Sequence, residues 1–282
     1  MAIDLHVHST ASDGVLRPRD VVRLAWQNGV QTLALTDHDT VAGLDEARRE
    51  AQGLGMRFVD GSELSVTWSN RTIHVVALAP SNLAMFDAMS RDRSRLREER
   101  ARAMSEKFEH FGIYGMFEDA MAIAGNALNL SRRHFALALL KRGLVCDENQ
   151  AFTRYLADQA PCFVPTQWFS LPEVMDFIAR AGAEAVLAHP GRYSFDEPSK
   201  NRQLLEEFKA LGGRVIEVTT GSHFAADNAR YTQVAVNMGF WASTGSDFHG
   251  HRPGRPAPGL QAPLPTYLPN VLDLLDQKQR RQ

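Results

Sequence analysis

Short runs of β-branched and aliphatic residues recur along the chain, and each leads into a polar stretch whose apolar positions repeat at helical spacing. Ala2 to Val7 is followed by Pro18 to Asn28, Thr32 to Thr36 by Val41 to Leu54, and Arg57 to Val59 by Glu63 to Thr67. This rhythm predicts parallel strands joined by crossover helices. The punctuation agrees, because Pro18 stands where a first-turn proline is tolerated, and Gly29, Gly53 and Gly55 fall at or just past helix ends. The alternation returns late in the chain. Ala183 to Ala188, Arg214 to Thr219 and Phe240 to Thr244 read as strands, and Leu171 to Ala181, Asn201 to Leu211 and Ala225 to Met238 as helices.

Between these halves β-branched residues thin out. Arg91 to Phe111 places Leu96, Arg100, Met104 and Phe108 at intervals of four, the spacing of one helix face. The expected organisation is an α/β barrel in two parts, residues 1–82 and 164–282, with a helical cap subdomain inserted over 83–163. After Gly250, Pro253, Pro256, Pro258, Pro263, Pro265 and Pro269 predict a tail that wraps the surface before a short helix from Val271 to Lys278.

Composition narrows the function classes. At 282 residues the chain can bury a sizeable core without staples. Its 31 basic and 33 acidic residues leave a net charge of -2, which excludes general attraction to nucleic acid or an anionic membrane. Two cysteines, Cys146 and Cys162, are too few for a disulfide framework, so any metal ligands must be nitrogen and oxygen. No apolar run approaches membrane-spanning length and no signal-peptide pattern opens the chain, so a soluble cytoplasmic protein is expected.

The histidines fall at strand ends. His6 and His8 end the first strand, His38 follows the second, His74 lies in a run from Thr72 to Ala79, His189 ends the fifth and His249 follows the last. Asp13, Asp37, Asp39, Glu63 and Asp247 accompany them. Singly, each has an ordinary reading: an HxH pair is a half-exposed strand, Thr36 to Asp39 a helix cap, His189 before Pro190 a strand end. Jointly they do not, because strand ends on one rim of a parallel barrel converge, and converging imidazoles and carboxylates bind metal.

The ordered segments DLHVHSTASDG, LTDHDT, GSELS, HVVAL, LAHPG and GSDFH resemble the successive motifs of the polymerase and histidinol phosphatase (PHP) superfamily. Each is short, but the ordered set is specific and spans most of the chain. The resemblance implies a distorted (β/α)7 TIM-like barrel with two or three divalent ions. By position, His6, His8, Glu63 and Asp247 would hold one ion, Glu63, His74 and His189 a second, and Asp13, His38 and His249 a third, with Glu63 bridging the first two. Ions about 3.5 to 4 Å apart can activate a shared water and neutralise phosphoryl oxygens. The donor set suits manganese, iron or zinc, and the resemblance favours manganese. Asp247 and His249 are also candidate catalytic residues, as is Asp39, which would orient a ligand imidazole. The related amidohydrolases also open on HxH but bridge their metals with a strand-end lysine. All five lysines here fall in predicted helices or at their edges.

Two places offer cations for the rest of a substrate. Ser131, as N-cap of a helix from Arg132 to Lys141, together with Arg132, Arg133 and His134, forms a candidate anion site. Arg192, three residues after His189 and beside Tyr193, could fork onto a phosphate. His223, in the loop after the sixth strand, is a candidate proton donor to the leaving oxygen or a phosphate contact. Within the PHP superfamily the chain resembles the stand-alone TrpH-like branch, which implies a nucleoside 3',5'-bisphosphate as substrate, hydrolysed at its 3'-phosphate. Short 5'-phosphorylated RNA and histidinol phosphate are the alternatives. A nucleotide-binding module without turnover is the remaining one, and it predicts a missing ligand. No obligate protein partner is indicated.

Overall fold

The computed structural model describes residues 2–125, 129–193, 195, 197 and 199–280. The chain divides into two compact units, Met1–Met85 with Phe169–Gln282, and Phe86–Trp168.

The first unit is built on a seven-stranded sheet in sequential order, β1 (Ala2–Val7), β2 (Val30–Leu35), β3 (Arg57–Trp68), β4 (Arg71–Leu78), β5 (Glu184–Leu187), β6 (Val215–Thr220) and β7 (Trp241–Gly245). β1, β2 and β3 pair in parallel, as do β5, β6 and β7, but β4 runs antiparallel to both neighbours. The two edges approach each other beyond β7. Asp247 N–H donates to His6 O at 2.8 Å and His8 N–H to Phe248 O at 2.9 Å, so the sheet nearly closes into a barrel.

The mixed sheet corrects the expectation of uniformly parallel strands. Glu63 to Thr67, expected to be helical, continues β3, which turns back through Ser69 and Asn70 with φ of 47° and 60°. Positive φ at both turn residues matches the right-handed twist of a two-residue hairpin. The strand was hard to read because seven of its last eight residues are buried and only Thr67 is intermediate, so no polar face alternates with an apolar one.

Crossover helices α1 (Pro18–Gln27) and α2 (Leu44–Gly53) bury Val21, Val22, Ala25, Ala47 and Ala51 with Leu33 and Leu35 of β2. Burial of each large aliphatic side chain contributes roughly 1.5–3 kcal/mol. In the second unit, α3 (Ala84–Glu109), which starts just before the division, is followed by α4 (Met116–Ala124), α5 (Arg132–Lys141) and α6 (Glu148–Ala151). The unit has its own core, where Phe108 stacks on Phe135 at 6.0 Å beside Tyr155. The chain returns to the sheet through α7 (Leu171–Arg180), α8 (Ser199–Ala210) and α9 (Ala225–Met238). The proline-rich tail ends in α10 (Val271–Gln279), which buries Val271, Leu274 and Leu275 in a core with Leu5 and Val76.

Among the described residues no helix is long and apolar enough to cross a membrane, and Cys146 and Cys162 are free thiols.

Candidate metal centre

Glu63, wholly buried midway along β3, organises the rim. Its Oε1 lies 2.9 Å from His189 Nε2 and 3.0 Å from His74 Nδ1. Its Oε2 lies 3.2 Å from both His6 Nε2 and His8 Nε2, and 3.0 Å from His38 Nδ1. One carboxylate thus meets five imidazoles, two from the end of β1, one each from beyond β2 and β5, and one from within β4. Beyond them, Asp247 Oδ1 stands 3.7 and 3.6 Å from the same nitrogens of His6 and His8. Asp13 Oδ1 is 3.3 Å from His249 Nε2 and 3.9 Å from His38 Nε2.

All nine expected ligands therefore gather in one place. Their donor atoms fall into four sets of metal-binding size: His8, Asp13, His38 and His249; His6, His8 and Asp247; His6, Glu63 and His189; His38, Glu63 and His74. This grouping departs from the positional one. His8 also faces the Asp13 set, Glu63 drops out of the His6, His8 and Asp247 set, and the expected set of Glu63, His74 and His189 divides, His189 joining His6 at Glu63 and His74 joining His38 there.

The donor chemistry fits divalent ions. An ionised carboxylate only accepts, so the 2.7 Å contact from His6 Nδ1 to Glu217 Oε1 places a proton on Nδ1 and turns the Nε2 lone pair inward. That Nε2 stands 3.1 Å from His8 Nε2, a separation two ring nitrogens tolerate only with a proton or a cation between them. Glu63 Oε2 and Asp247 Oδ1 are buried without a hydrogen bond. His249 Nδ1, 2.9 Å from the backbone O of Asp247, likewise turns Nε2 toward Asp13.

The electrostatics agree. Burial alone would raise the pKa of Asp13, Glu63 and Asp247, but the facing imidazoles hold all three well below the usual carboxylate range. Burial opposes charge on His6 and His8, yet the carboxylates prevail, holding His6 well above its ordinary value and pushing His8 up to about 9. Burial together with Arg192 pushes His189 down to about 3, and burial together with His8 pushes His249 down to about 4. Ionised acids, neutral imidazoles and two displaceable protons make a cation-seeking cluster.

The residues that hold this rim were less legible. Glu217 in β6 had no motif to mark it, yet its Oε1 accepts from His6 and its Oε2 from His189 N–H at 2.6 Å. Its signal was a lone acid inside an apolar strand. Asp37 accepts from Ser9 N–H, Ser9 Oγ and Ser12 Oγ at 2.6–2.8 Å, building the loop that carries Asp13. Asp39 was expected to orient an imidazole. Its oxygens accept from Ser65 N–H and Oγ at 2.8 and 2.7 Å, pinning the His38 turn to β3. Asp39, His189 and Asp247 have φ of 53°, 29° and 52°, left-handed backbone that non-glycine residues adopt only under constraint.

Arg192 reaches this centre, with Nη1 3.0 Å from Asp247 Oδ2 and its side chain 43% exposed. Tyr193 Oη accepts from His74 N–H at 2.8 Å and donates to Ala188 O at 2.9 Å, tying β4 to the end of β5. His223 lies close by, but its Nε2 accepts Gly191 N–H at 2.9 Å, and burial lowers its pKa. A neutral ring committed as an acceptor through Nε2 holds no proton there for a leaving group. In this structure the ring braces the Gly191 turn.

The residues of the expected anion site have structural partners inside the helical unit. Ser131 Oγ accepts from Arg133 N–H, and His134 Nδ1 accepts from Ser131 N–H, both at 3.1 Å. Arg133 forks onto Glu148 through two 2.9 Å bonds, and Arg132 bonds Asp158 at 2.9 Å. A helix start with these residue types reads the same in sequence whether it caps itself or binds a ligand.

Comparison with known proteins adds to this geometry. The model of the PHP domain matches residues 4–133. A 3',5'-nucleoside bisphosphate phosphatase from Chromobacterium violaceum is 41% identical over 93% of this chain and 92% of its own. A 5'-3' exoribonuclease from Haemophilus influenzae is 38% identical over 87% and 89%. A solved C. violaceum structure, described as an amidohydrolase with bound sulfate and no metal, superposes with a TM-score of 0.92 at 38% identity, covering 99% of this chain and 97% of that one. Similarity over nearly the whole chain, on a barrel whose rim gathers His, Asp and Glu into metal-sized sets, makes the protein a member of the PHP family and a phosphoesterase.

Proposed function

We propose that the protein hydrolyses the 3'-phosphate of nucleoside 3',5'-bisphosphates at a centre of two or three divalent ions, releasing a nucleoside 5'-monophosphate and inorganic phosphate. The observation that carries the metal part is Glu63, whose two carboxylate oxygens face different imidazole sets. His6, His8 and Asp247 would hold one ion, His74 and His189 with Glu63 a second, and Asp13, His38 and His249 a third. When bound, such ions polarise the phosphoryl oxygens and lower the pKa of a water near phosphorus. An all-nitrogen-and-oxygen donor set accepts manganese, iron or zinc, and manganese is our choice.

The protein's own groups supply orientation. Glu217 fixes the tautomer of His6 and anchors the His189 backbone. Arg192, part-exposed beside Asp247 and bonded to it through Nη1, is the phosphate contact in this reading. The bisphosphate assignment rests on the 41% identical C. violaceum relative, and the exoribonuclease relative supports the second reading, short 5'-phosphorylated RNA.

Assaying the manganese-loaded enzyme on adenosine 3',5'-bisphosphate, histidinol phosphate and a 5'-phosphorylated RNA trimer separates these readings. The expected result is the highest kcat/KM on the bisphosphate, with one phosphate released per nucleotide. Higher kcat/KM on the trimer, with mononucleotides as products, would replace it by the second.

A further inference from the structure

The loop after β6 carries a feature that hydrolysis at the metal centre does not use. It runs between two arginine-bearing segments. On one side Gly221 O accepts from Arg255 Nη1 at 2.9 Å. On the other, His223 Nε2 accepts the N–H of Gly191, the residue before Arg192.

The next residue, Phe224, is 82% exposed, more than any other large hydrophobic side chain among the described residues. Its backbone is nonetheless locked as the N-cap of α9. Phe224 N–H donates to Asp227 Oδ2 at 3.0 Å, and Phe224 O accepts from the Asp227 and Asn228 amides at 3.0 and 3.1 Å. An aromatic ring with a fixed root, held in water on the rim that carries the ligands, has no packing reason for its position. Isolated exposed apolar residues are common, so exposure alone is not the argument. The Phe224 loop, however, touches Arg255 through Gly221 and the residue before Arg192 through His223, and a flat apolar ring on a loop held between two arginines complements a nucleotide, whose base stacks while its phosphate pairs.

We propose that Phe224 is the base-stacking residue of a nucleotide subsite formed with Arg192 and Arg255, so that the enzyme favours phosphoesters bearing a purine or pyrimidine over bare sugar phosphates. This rests on the phosphoesterase reading and deepens it. Stacking is tolerant of base identity, so preference is for a base as such.

The test compares wild type, Phe224→Ala and Phe224→Trp in two ways. Calorimetry measures binding of AMP and of ribose 5-phosphate to the manganese-loaded proteins, and kinetics measure turnover of adenosine 3',5'-bisphosphate and ribose 3,5-bisphosphate. Phe224→Ala should weaken AMP relative to ribose 5-phosphate roughly ten- to hundredfold, the usual effect of removing a stacking ring. The bisphosphate pair should show the same ratio in KM, and Phe224→Trp should restore both. Equal losses on both ligands, or none, would overturn the proposal. A wild type that binds AMP through Phe224 but does not hydrolyse the bisphosphate would instead overturn the substrate assignment, leaving the stacking role standing.

Discussion

Glu63 and Glu217 divide the work of the centre. Glu63 faces five imidazoles and Glu217 holds two ligands from behind. Glu217→Gln keeps the shape but weakens the acceptor for His6, and should lower metal affinity or activity by roughly 10–100-fold. Glu63→Gln should lose more than that, with metal content per protein falling in elemental analysis. Equal metal content in the two variants would contradict the bridging role. The arginines separate in the same way. Arg133 is 6% exposed and forked onto Glu148, so Arg133→Met removes both charged hydrogen bonds of a buried pair and should cost about 3–5 kcal/mol of stability in denaturant titration. Arg192→Met should instead leave stability nearly unchanged and lower kcat/KM by about 10–150-fold, the value of one hydrogen bond to a charged group. A stable Arg133→Met protein with the larger catalytic defect would return Arg133 to the substrate site.

At the level of elements, the centre depends on strands that approach closely and on turns held under constraint. β7 lies so near β1 that a Cβ on Gly245 would stand 2.2 Å from His6 Cβ. Gly245→Ala must therefore push β1 aside, and overpacking of this kind costs typically about 1–3 kcal/mol. We expect a lowered Tm and weaker metal binding in the same variant. An unchanged Tm would mean that the barrel closure is looser than these distances require. The turn after β5 is braced twice, by Tyr231 Oη donating to Pro190 O at 2.9 Å and by His223 accepting from Gly191. These two contacts hold the path from His189 to Arg192, with His189 itself at a φ of 29°.

For the molecule as a whole, a net charge of -2 conceals a concentrated local charge. In the metal-free protein His6 is held well above its ordinary pKa and His8 at about 9, so both carry protons at neutral pH. A protonated imidazole cannot ligate, so metal must displace those protons. Affinity should therefore rise with pH from 6 toward 9, and manganese binding at pH 7.5 should release protons. Calorimetry in buffers of different ionisation enthalpy measures that release, and identical heats in all buffers would contradict it.

The alternation of strands and helices, the HxH opening and the acids beside later histidines were legible because local pattern encodes them. A strand's end and a ligand's residue type need no knowledge of the rest of the chain. The β3–β4 hairpin was not legible, since a strand buried on both faces shows no alternation. Nor were Glu217, whose partners lie 211 and 28 residues away, or the role of Asp39, because hydrogen bonds at such separations leave no periodic trace. The sequence by itself determined that histidines and acids would gather about the strand ends, and its ordered PHP-like motifs implied metal and phosphate chemistry. Only the tertiary structure decided that Glu63 lies between the imidazole sets, that Arg133 serves the fold and that Arg192 serves the rim. Each of those outcomes depends on which distant carboxylate comes within about 3 Å of a given nitrogen, the range over which a charged hydrogen bond forms.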